Sequence, residues 1–308
     1  MSLSEHFLVD DNLLAQSPLE SVALSLGYDK KTIIKSLDVA IKPNQITVLV
    51  GGNGCGKSTL LKSFARLLKP STGQILLNGA DIHSLSGKDV ARKLAILPQG
   101  PVAPEGLTVE QLARKLAILP QGPVAPEGLT VEQLVRQGRY PHQNWLQSWT
   151  EDDERLVRKA LQDTNMTEFA DRSIDALSGG QRQRAWIAMA LAQNTDILLL
   201  DEPTTYLDLT HQIEILDLLF ELNATQNTTI LMVLHDLNLA ARYAHNMIAI
   251  KDGTVFCQGA PETILDHDMV KAVFDMECHI SADPLFGTPM CIPYGKGRKV
   301  DSQAAEHV

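Results

Sequence analysis

The stretch that decides the fold is Ile46-Thr47-Val48-Leu49-Val50-Gly51-Gly52-Asn53-Gly54-Cys55-Gly56-Lys57-Ser58. Its first five residues form an apolar run rich in β-branched side chains, which is typical of a strand buried on both faces of a parallel sheet. The remaining eight have a glycine, four residues and then Gly-Lys-Ser, the spacing of a loop whose backbone N–H groups surround phosphates. A helical run follows, and its positive N-terminal end would face the same anion. The stretch predicts an α/β fold with a phosphate-binding loop.

Composition and charge narrow the class of protein. The 308 residues include 27 Lys and Arg against 37 Asp and Glu, a net charge of −10 that disfavours a nucleic-acid partner. No apolar run approaches the ~18 residues of a membrane-spanning helix, and the first residues lack the pattern of a secretory signal. The four cysteines are widely spaced, which excludes a zinc knuckle and suits a reducing compartment. We therefore expect an acidic intracellular globular protein.

Residues 91–112 and 113–134 are identical, each reading ARKLAILPQGPVAPEGLTVEQL. A solenoid needs at least about three copies to bury a continuous core, so two adjacent copies indicate a recent tandem duplication or a gene error. Removing one copy would leave 286 residues, 22 fewer than 308.

Two further apolar runs end in polar residues that suit phosphate chemistry. Asp201 and Glu202 follow one run, and His235 follows the other. Because the carboxyl ends of parallel strands meet at one edge of a sheet, we expect all three side chains beside the phosphate loop. Asp201 and Ser58 would hold Mg²⁺, Glu202 would orient and deprotonate the attacking water, and His235 would contact the γ-phosphate. The alternatives are that a carboxylate only caps the next segment and that His235 is structural.

Leu177-Ser178-Gly179-Gly180-Gln181 precedes a predicted helix that runs to Ala192. This is a second helix N-terminus suited to an anion. A chain with one phosphate loop cannot easily place both ends on one nucleotide, so the second indicates a role at the ATP of a partner.

In this order the motifs resemble those of the ATP-binding cassette (ABC) ATPases, over about residues 20–295. The resemblance implies that Asp201 to Thr204 is the second phosphate-site motif, that Asp208 lies in the D-loop and that His235 is the switch histidine. It implies that Tyr28 stacks on adenine. Gln99 and Gln121, one in each copy of the repeat, both match the glutamine that senses Mg²⁺ and the permease.

The resulting site prediction has three parts. The catalytic residues are Glu202 and His235, and the magnesium ligands are Ser58, Asp201 and Gln121. The residues that bind ATP are Tyr28, Gly51, Asn53, Gly54, Gly56, Lys57, Ser58, Thr59, Gln99, Gln121, Ser178, Gly179, Gly180 and Asp208.

The predicted fold is a P-loop NTPase core of the ABC ATPase type with an antiparallel β subdomain and an inserted helical subdomain. The ATPase domain is expected over residues 20–280, its helical part over about 122–177, and an irregular C-terminal tail over 281–308. Thr150 is predicted to cap a helix that begins at Glu151, and Asp252-Gly253 to turn a hairpin. Spacing does not choose between the repeat copies. We favour the second copy for the sheet, with Gln121 as the working glutamine, because the surplus would then lie away from the ATP site.

Four shorter sequence segments resemble those of the ATPases of iron(III)-siderophore importers. They are Gly138 to His142, Arg182 to Ile187, Leu234 to Asn238 and Gly287 to Pro289. The resemblance implies an ATP- and Mg²⁺-dependent homodimer on the cytoplasmic face of the plasma membrane. Its partners would be a separate permease and, indirectly, a substrate-binding protein. The alternatives are a cobalamin or haem importer ATPase, a soluble ABC ATPase outside transport, and a nucleotide-binding regulator without turnover. Gly52 departs from the family, which usually has proline there.

Overall fold

The computed structural model describes residues 17–28, 31–97, 128–143 and 149–296. The strands are β1 (Leu19–Tyr28), β2 (Lys31–Ile41), β3 (Ile46–Val50), β4 (Thr72–Leu77), β5 (Ala80–Asp81), β6 (Leu94–Leu97), β7 (Ile197–Asp201), β8 (Thr229–Val233), β9 (Asn246–Lys251), β10 (Thr254–Gly259), β11 (Cys278–Ala282) and β12 (Pro289–Pro293). The α-helices are α1 (Lys57–Phe64), α2 (Gly87–Ala91), α3 (Val131–Gln137), α4 (Glu151–Asp163), α5 (Gly179–Ala192), α6 (Leu209–Gln226), α7 (Leu237–Tyr243), α8 (Pro261–Ile264) and α9 (His267–Phe274).

A six-stranded sheet in the order β10-β9-β3-β8-β7-β6 forms the centre of the fold. The five strands from β9 to β6 are mutually parallel, and β10 joins β9 as an antiparallel hairpin. Every residue of β3, β7 and β8 is buried, as the continuous apolar runs predict. The phosphate loop, Glu202 and His235 follow β3, β7 and β8, so the order of the strands places them side by side.

Successive side chains of the central strands point into two cores on opposite faces of the sheet. Val48, Leu200 and Met232 belong to the core that includes helices α5, α6 and α7. Leu49, Leu199 and Leu231 belong to the core that includes α1 and the second sheet. That second sheet is antiparallel, in the order β2-β1-β4-β5, which confirms the predicted antiparallel β subdomain.

The helical segment contains α3, α4 and the first turns of α5. Thr130, Thr150 and Ser178 each form a reciprocal capping box at the start of one of these helices. The predicted Thr150 cap is therefore confirmed. A buried ion pair joins Arg139 Nε to Asp153 Oδ1 at 2.8 Å, and the same guanidinium donates to the carbonyl of Ala192 at 2.9 Å. Arg139 thus ties the helical segment to the C-terminal end of α5.

The two copies of the repeat contribute to different elements of the fold. The first copy supplies strand β6, which pairs with β7 through Leu94↔Ile197 to Leu97↔Leu200. The second copy supplies Thr130 and most of α3. The expectation that the second copy fills the sheet is wrong. Helix α2 starts before the repeat, and its closing hydrogen bonds run from Arg92 N to Lys88 O and from Lys93 N to Val90 O. The first copy therefore runs from α2 directly into the strand, whereas use of the second copy would place 22 more residues between them.

Two local predictions near the C-terminus have different outcomes. The hairpin is confirmed, since β9 and β10 pair through Lys251↔Thr254 around Asp252 and Gly253. The expected irregular tail is wrong for residues 289–293, because β12 pairs with β11 in a two-stranded sheet. Proline is compatible with an edge strand, whose outer N–H groups need no partner. Asn238 holds β12 in place, with its amide bonded to both the N–H and the carbonyl of Cys291.

Within the ranges that the structure describes, no helix is both long enough and apolar enough to cross a membrane.

Candidate nucleotide-binding site

The phosphate loop connects β3 to α1 and has the backbone that its glycines permit. Gly51 has φ +151°, and a Cβ there would lie 2.3 Å from the carbonyl oxygen of Ile250 on β9. Gly56, the residue before α1, has φ +111°, and a Cβ would lie 2.5 Å from Ile34 Cδ1. Side chains are therefore excluded at both ends of the loop. Asn53 and Gly54 are exposed at its tip, where the backbone is open to a ligand.

Lys57 is buried, and its ammonium group lies over the loop. Nζ donates to the carbonyl oxygen of Gly51 at 2.8 Å and to that of Gly52 at 3.1 Å. Carbonyl oxygens are weaker partners for a cation than phosphate oxygens, so this arrangement holds the charge ready for an anionic ligand. Thr59 is buried on α1, two residues beyond. Lys57 and the N-terminal end of α1 thus form the positive part of the site.

Asp201 closes β7 and is joined to the loop by a hydrogen bond. Ser58 Oγ donates to Asp201 Oδ1 at 2.8 Å. Burial raises the pKa of Asp201 above its usual value, although the Ser58 bond acts in the opposite direction. A buried carboxylate beside a hydroxyl is a pair of oxygen ligands that Mg²⁺ accepts, and a cation would offset the cost of burying the charge. The two residues fit the predicted magnesium site.

Glu202 and His235 lie together at the same edge of the sheet. His235 Nε2 is 2.6 Å from Glu202 Oε1, with the Glu202 side chain 10% exposed and the His235 side chain 47% exposed. Thr205 Oγ1 donates to the other carboxylate oxygen of Glu202 at 2.9 Å. These contacts hold the carboxylate in one orientation at the mouth of the site. Thr205 was not among the predicted site residues, and its only sequence signal is a hydroxyl three residues after the glutamate.

Residues 178–180, which we call the Ser178 segment, lie apart from the phosphate loop, Asp201 and Glu202. Ser178 and Gly179 are exposed at the start of α5, and Ser178 Oγ accepts from the backbone N–H of Gln181 at 3.3 Å. An accepting hydroxyl still has its own O–H to donate. Among the described residues, no hydrogen bond or ion pair links residues 178–180 to the phosphate loop. This separation favours the prediction that the segment acts at a second molecule.

The other predicted residues have varied positions. Asp208 is exposed and caps α6, accepting from the backbone N–H of His211 at 3.0 Å. Tyr28 ends β1 with a side chain that is 45% exposed, as stacking on a base requires. Gln99 and Gln121 lie outside the described residues. The magnesium prediction therefore rests structurally on Ser58 and Asp201.

Comparisons with known proteins give the family. A family model described as ABC transporter matches residues 34–205. The petrobactin import ATP-binding protein FpuD of Bacillus anthracis is 59% identical over 290 residues, 94% of this chain and 98% of the relative. The probable siderophore transport system ATP-binding protein YusV of Bacillus subtilis is 56% identical over 292 residues, 95% of this chain and 98% of the relative.

Solved structures agree with the sequence relatives. The structure of cbiO1 from Clostridium perfringens, part of the ABC transporter complex cbiONQ, superposes with a TM-score of 0.67 at 28% identity, over 83% of this chain and 93% of that one. The predicted P-loop fold of the ABC type is confirmed by this match and by the family model. The chain belongs to the ABC transporter family, as one of its ATP-binding, ATP-hydrolysing proteins.

Proposed function

We propose that this protein is the ATP-hydrolysing subunit that energises import of an iron(III)-siderophore chelate through a separate membrane permease. The observation that carries the catalytic part is the convergence of Lys57, Asp201, Glu202 and His235 at the carboxyl ends of three neighbouring strands, β3, β7 and β8. The similarity to FpuD, a petrobactin import protein, and to YusV, a probable siderophore transport protein, supports the cargo. The subunit would lie at the cytoplasmic face of the membrane, bound to the permease.

The loop and helix α1 bind the triphosphate. Lys57 leaves the carbonyl oxygens of Gly51 and Gly52 for the β- and γ-phosphates, where its charge has stronger partners. Ser58 and Asp201 would hold Mg²⁺, which when bound neutralises part of the phosphate charge. Tyr28 stacks on the adenine.

Glu202 is the general base. Its carboxylate orients a water molecule in line with the γ-phosphorus and accepts a proton as the new P–O bond forms, while the bond to the β,γ-bridging oxygen breaks. The products are ADP and inorganic phosphate. Thr205 and His235 hold the two oxygens of this carboxylate, so the base needs little reorganisation. His235 is also placed to contact the γ-phosphate.

Two copies of the chain complete two ATP sites. Each site combines the phosphate loop, Asp201 and Glu202 of one chain with Ser178, Gly179 and Gly180 of the other. The exposure of Ser178 and Gly179 at the N-terminus of a 14-residue helix supports this arrangement, because that end favours an anion. Closure around ATP and reopening after hydrolysis would drive the permease.

We further infer that Gln99 is the working glutamine. The first copy of the repeat supplies β6, and Gln99 follows the last strand residue, Leu97, by two positions in the sequence. Strand β6 is adjacent to β7, which carries Asp201. The residues just before Gln121 lie outside the described ranges. Gln99 thus takes the role that the sequence alone favoured for Gln121.

Uptake by whole cells tests the cargo. The chain is expressed in bacteria that lack their own siderophore-import ATP-binding subunit, and accumulation of radioactive iron supplied as a ferric siderophore is measured. We expect uptake to return with the parental chain and to stay absent with Glu202→Gln at equal expression. Restored cobalamin uptake in a parallel strain, without iron uptake, would contradict the siderophore cargo. Intact ATP hydrolysis without transport of either chelate would favour a soluble ABC ATPase.

A further inference from the structure

Gly180, the third residue of the Ser178 segment, packs against a side chain from a different helix. A Cβ at Gly180 would lie 2.1 Å from Cδ2 of His211 and 2.8 Å from its Cγ. Gly180 itself is buried, unlike Ser178 and Gly179. The imidazole ring of His211 therefore occupies the space that a side chain at position 180 would need.

His211 is in turn held by Asp208. Its Nδ1 lies 2.6 Å from Asp208 Oδ1, and its backbone N–H donates to the same oxygen at 3.0 Å. Asp208 is the N-cap of α6, so this double contact fixes the ring relative to the first turn of that helix. The side chain of His211 is 37% exposed, so part of the ring is accessible to water.

Asp208 is connected to the catalytic glutamate by a short series of turns. Thr205 N donates to the Glu202 carbonyl at 3.2 Å, and Leu207 N donates to the Thr204 carbonyl at 3.3 Å. Further along the two helices, Arg184 Nη2 of α5 pairs with Glu214 Oε2 of α6 at 2.7 Å. His211 packs against Gly180, and Leu207 Cδ2 lies 3.7 Å from the position of a Cβ at Gly179, so both side chains connect residues 178–180 to the segment that starts at Glu202.

We propose that His211 is a positioning residue that couples the two ATP sites of the dimer. It fixes residues 178–180, which serve the ATP of the partner, relative to residues 202–208, which serve the ATP of the chain itself. A displacement of residues 202–208 at one ATP site then moves the Ser178 segment at the other ATP site. The two segments of a chain move together because Asp208 and Gly180 both contact the imidazole ring of His211. This inference rests on the two-site dimer of the proposed function.

The test measures dimerisation and nucleotide binding separately, in chains that carry Glu202→Gln so that ATP persists. Sedimentation in the presence of ATP gives the dimer dissociation constant, and titration of dilute monomer gives the ATP affinity. We expect His211→Ala to raise the dimer dissociation constant about tenfold, a usual size for coupling between sites. The ATP affinity of the monomer should stay within about twofold, because His211 lies outside the phosphate loop's contacts.

Two variants separate positioning from a general loss of structure. His211→Gln retains a side-chain N–H for Asp208 and should restore dimerisation to within about threefold of the parental chain. His267→Ala removes another exposed histidine at a helix start, one that contacts Asp268 and Glu277, and should change neither constant. A dimer constant for His211→Ala equal to that of His267→Ala would overturn the proposal.

A second measurement tests the contact itself. Gly180→Ala should weaken dimerisation more in the parental background than in the His211→Ala background, where the ring that occupies the space is gone. If Gly180→Ala raises the dimer dissociation constant by the same factor in both backgrounds, Gly180 and His211 act independently and the proposal fails. A chain that binds no ATP, or that does not dimerise with ATP in the Glu202→Gln background, would instead contradict the proposed function.

Discussion

Ile96 and Ile118 occupy the same position in the two copies of the repeat, and the structure places Ile96 in strand β6. Its side chain is 2% exposed and belongs to the core between the two sheets. Replacing Ile96 with alanine removes three carbon atoms, a transfer cost of about 2.4 kcal/mol at ~0.8 kcal/mol per methylene. The cavity left behind brings the expected loss of unfolding free energy to about 3 kcal/mol.

The second copy limits this loss in the full chain. If residues 116–119 replace β6, the core regains an isoleucine, but α2 is no longer joined directly to the strand and its buried Val90 loses its place in the core. Exposing a buried valine costs about 2 kcal/mol, which is the expected cost of the exchange. We therefore expect Ile96→Ala to cost about 2 kcal/mol in the 308-residue chain and about 3 kcal/mol in a chain that lacks residues 113–134.

Urea unfolding followed by circular dichroism measures these differences as shifts of the midpoint at constant slope. Ile118→Ala is the matched control, since it makes the same chemical change in the same local sequence, and it should cost less than about 0.5 kcal/mol. The double variant should lose about as much as the single variant of the shortened chain. A cost for Ile118→Ala equal to or above that of Ile96→Ala would refute the assignment of the first copy to the sheet.

Three further predictions concern separate parts of the molecule. Lys57→Ala should weaken ATP binding about a hundredfold or more in calorimetric titration, because it removes the charge expected at the β- and γ-phosphates, and unchanged affinity would exclude this role. Gln99→Ala should reduce permease-stimulated ATP hydrolysis more than Gln121→Ala, and the reverse order would restore Gln121 as the working residue. Asp153→Asn should destabilise the protein by about 3 kcal/mol at neutral pH, because the buried guanidinium of Arg139 loses its carboxylate. Burial acts to raise the pKa of Asp153, but hydrogen bonds from Arg139 and Thr150 hold it below its usual value, so the stability it contributes is present above its unfolded pKa and is lost as pH falls through the folded pKa. The gap between parental and variant urea midpoints should therefore shrink in acid, and a constant gap would contradict the account.

Much of the site could be predicted because the buried strands and the polar residues that end them are visible in short local patterns. The runs before Gly51, Asp201 and His235 are buried parallel strands, and their carboxyl ends meet at one edge of the sheet. The Thr150 cap and the Asp252-Gly253 hairpin likewise depend on neighbouring residues only.

The features that were missed depend on long-range geometry. Identical copies of a repeat contain no local information about which one pairs with β7, and the choice follows from the connection to α2. Strand β12 is stabilised by Asn238, more than fifty residues earlier in the chain. Thr205 and His211 reach their partners through a turn in which Glu202 and Tyr206 have positive φ angles of 54° and 65°, a conformation that sequence patterns rarely indicate.

Steady-state ATP hydrolysis by the purified Glu202→Gln variant, with ATP affinity measured on the same sample, tests the central claim most directly. A general base contributes typically 10²- to 10⁴-fold, so we expect turnover to fall by about a hundredfold or more. ATP affinity should remain within about threefold, because Lys57 and the phosphate loop are unchanged. Turnover close to the parental rate would show that Glu202 is not the base and would contradict the assignment of the catalytic site at the end of β7.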